Sequence, residues 1–231
     1  MSNKNTYSSC TVSYSCLRCF EKLTDEELHL LETNRLEIKY KKGETICKQG
    51  TFASHIMYVC TGLVKVYIEN EVDSLTLKIL PDGNMIGLTS LFDDASVFQY
   101  SAYAYQESVI RLIDINVFKQ LIKQNVEFAN EIINILCDKA VQTYGRFFCF
   151  TNKQTYGRMA DILLCLASRI YKNDEFELFL SRKELADLTG MSTESVIRIL
   201  KKFRDEELIK IVGKKYKILN PYKLQQISDR G

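Results

Sequence analysis

Residues 181–202, SRKELADLTGMSTESVIRILKK, fit two short helices joined by a tight turn, and fit little else. Ser181 followed three residues later by Glu184 has the spacing of a capping box. Gly190 permits the turn because it has no Cβ to oppose a positive φ. Ser192 can cap the second helix, in which Val196, Ile199, Leu200 and Phe203 recur at inward-facing spacing. Thr193, Glu194, Ile197, Arg198 and Lys201 are left outward near the helix start, where side chains can reach base edges in the major groove. Glu194 and Arg198 alone could be an ordinary i,i+4 surface pair, worth ~0.3–0.5 kcal/mol. Two β-rich runs follow them, 208–212 and 216–219, around Gly213-Lys214-Lys215, the pattern of strand, turn and strand. The whole reads as a winged helix-turn-helix whose lysines sit where a wing would meet phosphates. The residues expected to contact DNA are Ser181, Arg182, Ser192, Thr193, Glu194, Ser195, Ile197, Arg198, Lys201, Lys214 and Lys215.

The charge distribution agrees. Residues 1–152 carry 15 Lys/Arg against 18 Asp/Glu, net −3, and residues 153–231 carry 16 against 11, net +5. A basic C-terminal module beside a mildly acidic one suits a chain in which one part holds nucleic acid and the other does not. No apolar run approaches a membrane span and no signal-peptide core is present, so a cytoplasmic protein is expected. In that compartment the eight cysteines are not expected to form structural disulfides. Cys137, Cys149 and Cys165 fall in apolar helix-like stretches and read as small buried hydrophobes.

Residues 1–20 form a polar tail that carries Cys10, Cys16 and Cys19. Thr24 then caps a short amphipathic helix. From 36 to 114 the pattern becomes short strands separated by glycine turns, about eight strands in all, which implies an antiparallel β-roll or jelly roll over 21–115. Over 116–150 the period is helical: Ala129, Ile132, Leu136, Ala140, Thr143 and Phe147 recur like a coiled-coil seam and are expected at a dimer interface. Ile133, Cys137, Val141, Tyr144 and Phe148 form an adjoining stripe that can pack on the roll. Another helix, 155–171, opens the DNA-binding domain, which occupies 151–231. The fold class is α+β.

This order, β-roll, long helix, winged helix-turn-helix, resembles the Crp/Fnr family of bacterial regulators typified by the cyclic-AMP receptor protein and the fumarate-nitrate regulator. The resemblance covers about residues 20–225 and rests on Lys42-Gly43-Glu44 with Lys48-Gln49-Gly50, on 54–59 leading to Gly62-Leu63-Val64-Lys65-Val66, on Gly83-Asn84-Met85-Ile86-Gly87, on 157–161 and on the helix-turn-helix. It implies a homodimer on double-stranded DNA with an inverted-repeat operator, acting with RNA polymerase. It places Glu194 on a cytosine edge and Arg198 on a guanine edge, roles their chemistry suits. Thr193 stands where the cyclic-AMP receptor has a base-reading arginine, so a TGA core without that extra guanine is expected.

The same resemblance puts an effector pocket at Gly87, Leu88, Thr89, Tyr100 and Ser101. Members that bind cyclic AMP have a glutamate where this chain has Leu88 and an arginine where it has Tyr100. Asp93 and Asp94 add negative charge nearby. A buried phosphate without a cation is costly, so cyclic AMP is not the expected effector. Members that hold a [4Fe–4S] cluster use an N-terminal cysteine trio, which Cys10, Cys16 and Cys19 resemble, plus a fourth cysteine where this chain has Arg111. The order of short and long gaps in the trio is also reversed. A cluster, a redox-active Cys16–Cys19 pair, a neutral ligand or haem in the roll, and no ligand at all stay open. No phosphate-cradling glycine loop, metal-binding His pair or activated nucleophile is found, so an enzyme is not expected. The competing reading is a β-roll ligand sensor that does not act through DNA.

Overall fold

The computed structural model describes residues 12–13, 17–71, 74–91 and 97–231. The chain divides into two compact units, residues 13–74 with 78–140 and residues 141–231 with Leu75–Leu77 of a strand of the first, so the main boundary falls inside a long helix at Val141.

In the N-terminal unit a short 3₁₀ turn, Leu17–Lys22, leads to α1, Asp25–Thr33. Thr24 caps α1 with the reciprocal hydrogen bonds of a capping box, its hydroxyl accepting from Glu27 N and the Glu27 carboxylate accepting from Thr24 N. Eight strands follow: β1 Arg35–Tyr40, β2 Thr45–Cys47, β3 His55–Thr61, β4 Leu63–Glu69, β5 Ser74–Pro81, β6 Met85–Ile86, β7 Ser101–Ala104 and β8 Ser108–Asp114. They make two four-stranded sheets, ordered β1-β8-β3-β6 and β2-β7-β4-β5, as expected for a roll. Val64 and Val66 lie opposite Ala104 and Ala102, and Met57 and Val59 opposite Ile86 and Ile110; all eight are buried and line the inner faces. Ile56 and Tyr58 point the other way from β3, into a core completed by Phe118, Leu121, Phe128, Ile132 and Ile135. The central strand β3 is thus covered on both sides, which explains its nearly unbroken apolar sequence.

The helical stretch is two helices rather than one: α2, Ile115–Gln124, and α3, Val126–Asn152. Asn125 between them is extended (φ −116°, ψ 105°). Its side chain accepts from Phe128 N at 2.9 Å and donates to Lys22 O at 2.9 Å and to Glu27 Oε2 at 2.7 Å. The break is therefore held by tertiary hydrogen bonds that replace the interrupted ladder.

In the C-terminal unit α4, Thr155–Leu166, ends in a π-helical turn, Ala167–Tyr171. Strand β9 is Glu175–Glu177, followed by α5, Arg182–Thr189, and α6, Thr193–Asp205. Strands β10, Ile209–Val212, and β11, Lys215–Ile218, complete a three-stranded sheet in the order β10-β11-β9, and α7 spans Pro221–Arg230. Among the described residues no helix is long and apolar enough to cross a membrane.

Candidate nucleic-acid interface and effector region

The two helices of the motif are set by their caps. Glu184 N donates to the Ser181 hydroxyl at 3.2 Å while Ser181 N donates back to Glu184 Oε2 at 2.6 Å. The Ser192 hydroxyl accepts from Ser195 N at 3.2 Å and starts α6. Gly190 closes α5 in the left-handed region (φ +59°), and a Cβ there would stand 2.6 Å from the Phe150 ring. No other residue fits that turn without displacing an aromatic packed beneath it. Val196, Ile199, Leu200 and Phe203 are buried, and Phe203 meets Tyr156 edge to face at 4.7 Å.

With that face fixed, α6 presents Glu194, Ile197, Arg198 and Lys201 as one exposed stripe; Thr193 and Ser195 are half-buried beside it. Glu194 and Arg198 do not pair with each other among the described residues. The Glu194 carboxyl is held below its usual value by its own backbone amide and by Ser192, both at the positive end of α6, not by Arg198. The ordinary reading of the two as a surface ion pair therefore loses its support, and both charged groups are left facing out. Ser181 and Ser192 use their hydroxyls for the caps.

The hairpin β10–β11 turns through two residues, Gly213 and Lys214, with Val212 opposite Lys215. The turn expected over 213–215 is shorter by one: Lys215 belongs to the strand, where it also pairs with Glu177. Lys217 is bound to Glu175 at 2.8 Å, whereas Lys214 and Lys215 are exposed and carry no ion pair among the described residues. Arg182, at the first position of α5, lies over the Tyr216 ring of β11 at 5.4 Å. Tyr216 continues into a stack with Phe176 at 6.0 Å and Tyr171 at 4.4 Å from Phe176. This ladder ties the wing to the start of the motif. Sequence reading missed it because its members are 45 residues apart; only the recurrence of aromatics in otherwise polar strands signals it.

In the roll, the effector residues are brought together but already bonded to one another. Gly87 N donates to the Tyr100 hydroxyl at 2.7 Å. Burial pushes the Tyr100 hydroxyl up to about 12, so it stays neutral. The Ser101 hydroxyl donates to Glu69 Oε1 at 2.8 Å and accepts from Gln49 N at 3.0 Å. Glu69, which sequence reading missed, thus sets a carboxylate on Ser101, next to the position where members that bind cyclic AMP have their arginine. Leu88 is buried in the apolar core and Thr89 is exposed. A cyclic phosphate does not fit these residues: Tyr100 and Ser101 carry engaged hydroxyls, Glu69 adds an anion, and among these residues no cation replaces the absent arginine. Asp93 and Asp94 lie outside the described residues.

Of the cysteine trio, Cys10 and Cys16 lie outside the described residues, and Cys19 is 1% exposed within the apolar core. Cys60 packs on that same core, while Cys47 sits in the other sheet with its thiol pushed up to about 12 by burial. Arg111, at the fourth-ligand position, donates to Glu37 Oε1 at 2.9 Å across the β1–β8 pair. Among the described residues no group of three or more His, Cys, Asp or Glu is placed to hold a metal ion. The described cysteines do not by themselves make a four-thiolate site.

Along α3 the expected seam needs correcting. Ile132 is 3% exposed and belongs to the core beneath the helix, so it is not at an open face. The open apolar stripe combines both sequence stripes: Ile133, Leu136, Cys137, Val141, Tyr144, Phe147 and Phe148 are exposed, with Ala140 partly so. Ala129 is half-buried and Thr143 exposed. Inward-facing Phe128, Ile132, Ile135 and Cys149 take the opposite side.

The model of the cyclic nucleotide-binding domain matches residues 37–125, and that of the Crp-like helix-turn-helix domain matches 157–227. The cAMP-activated global transcriptional regulator CRP of Salmonella typhimurium is 28% identical over 182 residues, covering 76% of this chain and 86% of that protein. The transcriptional activator protein Anr of Pseudomonas protegens is 24% identical, covering 93% of this chain and 89% of its own length. The structure of FixK2 from Bradyrhizobium japonicum shares the fold with a TM-score of 0.75 at 19% identity, covering 84% of this chain and 96% of that one. With a sensor roll and a winged helix-turn-helix matched over more than half of its length, the chain belongs to the Crp/Fnr family and is a DNA-binding transcription regulator.

Proposed function

We propose that the chain acts as a homodimer, paired along α3, that reads an inverted-repeat operator and answers to a signal other than a cyclic nucleotide. The observation that carries this reading is the uncovered stripe from Ile133 to Phe148. Tyr144, Phe147 and Phe148 are 62%, 70% and 58% exposed on one side of a helix whose other side is already packed. Aromatic residues exposed in such a row mark a partner surface. A second α3 lying along the first would cover them symmetrically and hold two recognition helices at a fixed separation, which an inverted repeat then matches.

In this account the roll up to about residue 115 is the sensor, α3 the pairing element and the region from Thr155 onward the DNA-binding domain. A signal in the roll changes the packing along α3 and so the spacing of the recognition helices. RNA polymerase is the further partner at the promoter. The Gly87–Tyr100 and Ser101–Glu69 bonds support a neutral effector, or a change at the N-terminal thiols, over an anionic ligand. Sedimentation of the protein with and without a symmetric duplex tests the reading. Two chains per duplex, with binding that weakens steeply as salt rises, are expected. One chain per duplex, or binding indifferent to salt, would refute it.

A further inference from the structure

The recognition stripe contains one residue that phosphate contact and charge cannot explain. Ile197 is 54% exposed on α6, three residues after Glu194, directly before Arg198 and four before Lys201. The inward positions of this helix are already filled by Val196, Ile199, Leu200 and Phe203, so Ile197 adds nothing to the core. Its neighbours on the stripe are a carboxylate, a guanidinium and an ammonium, a set suited to a polynucleotide rather than to an apolar protein surface. We infer that Ile197 reads sequence, its branched side chain docking on the C5-methyl group of a thymine in the half-site.

Three physical points converge on that group. Thymine alone offers a methyl group in the major groove; the other three bases are distinguished there by their hydrogen-bonding atoms. A β-branched side chain in a helix is almost confined to one χ1 rotamer, so Ile197 offers a preformed apolar shape and loses little entropy on docking. Residues 194 and 197 are separated by about 4.5 Å along the helix axis. The base pairs of the duplex are about 3.4 Å apart. The methyl group therefore belongs to a base pair next to the one read by Glu194 or Arg198. This assignment rests on the proposed reading of α6 as the element in the groove, and it adds a specificity that neither charged residue supplies.

The test begins with a symmetric duplex selected by the wild-type protein from a random pool. Each thymine of the half-site is then replaced by deoxyuridine, in both half-sites at once, which removes the methyl and keeps every hydrogen-bonding group. Burial of one methyl group corresponds to roughly a fourfold change in affinity. Two symmetric contacts multiply, so one position should show about a fifteenfold loss. In Ile197→Ala that position should lose its sensitivity while binding stays dependent on Arg198. Equal affinity of the wild type for every deoxyuridine duplex would overturn the assignment. So would a selected half-site with no thymine beside its G·C pairs, or an Ile197→Ala protein that keeps the full deoxyuridine penalty. Failure of the wild type to select any duplex is a different result: it refutes the reading of α6 itself.

Discussion

Truncating Phe147 to alanine separates a pairing surface from a core position, because the ring is 70% exposed within its own chain. Fully burying a phenylalanine side chain is worth roughly 1.5–3 kcal/mol. Covering the exposed share in a dimer is then worth about 1–2 kcal/mol per chain, and about 2–4 kcal/mol for both copies of a symmetric contact. At about 1.4 kcal/mol per tenfold, the dimer dissociation constant should rise between about 30-fold and 700-fold. Sedimentation equilibrium measures this directly. Urea unfolding of the monomeric variant should show no matching loss, since the ring has little to lose inside the chain. Ile132→Ala is the opposite case: 3% exposed and locked in the core, it should lower stability by about 2–5 kcal/mol. A Phe147→Ala protein that dimerises within twofold of the wild type would refute the claim that this stripe is the pairing surface.

Other substitutions divide DNA contact into its parts. Arg198→Ala should weaken the selected duplex by about 1–3 kcal/mol and relax the choice of base, whereas Lys214→Ala with Lys215→Ala should weaken all duplexes alike and flatten the salt dependence; competition binding at several salt concentrations tells them apart. Cyclic AMP at millimolar concentration should leave DNA affinity unchanged, as measured by fluorescence anisotropy, because Tyr100 stands in place of the arginine and Glu69 sets a carboxylate on the neighbouring Ser101; a tenfold gain in affinity would contradict this. The Glu37 carboxyl is held below its usual value chiefly by the hydrogen bond from Arg111. A depressed carboxylate stabilises the fold above its unfolded value and loses that contribution as pH falls through the folded one. The stability gap between the wild type and Arg111→Met should therefore narrow on acidification below about pH 4.5, and a gap constant down to about pH 3 would contradict it.

What could be read in the sequence was local. The Ser181–Glu184 box, the Gly190 turn, the apolar face of α6 and the β-rich runs between glycines each depend on residues a few positions apart, and the observed elements follow them. What could not be read was long-range. Asn125 sits in a stretch of helical period, and only bonds to Lys22 and Glu27, about a hundred residues earlier, decide that the helix breaks there. The two apolar stripes of α3 are equally good by spacing; the core beneath takes Ile132 from one and leaves residues of both uncovered. At the effector region, Leu88 and Tyr100 already pointed away from a cyclic nucleotide. Glu69 became visible only through the register that sets Tyr67 opposite Ser101 and brings the carboxylate within 2.8 Å of the hydroxyl.

The central claim is that the α6 stripe reads DNA sequence in two symmetric copies. Selection from a random duplex pool, by the wild type and by an Arg198→Ala protein in parallel, tests it most directly. The account predicts that the wild type enriches an inverted repeat with a G·C pair and a neighbouring thymine in each half-site, and that Arg198→Ala loses the guanine. Enrichment of no sequence, or of the same repeat by both proteins, would contradict it.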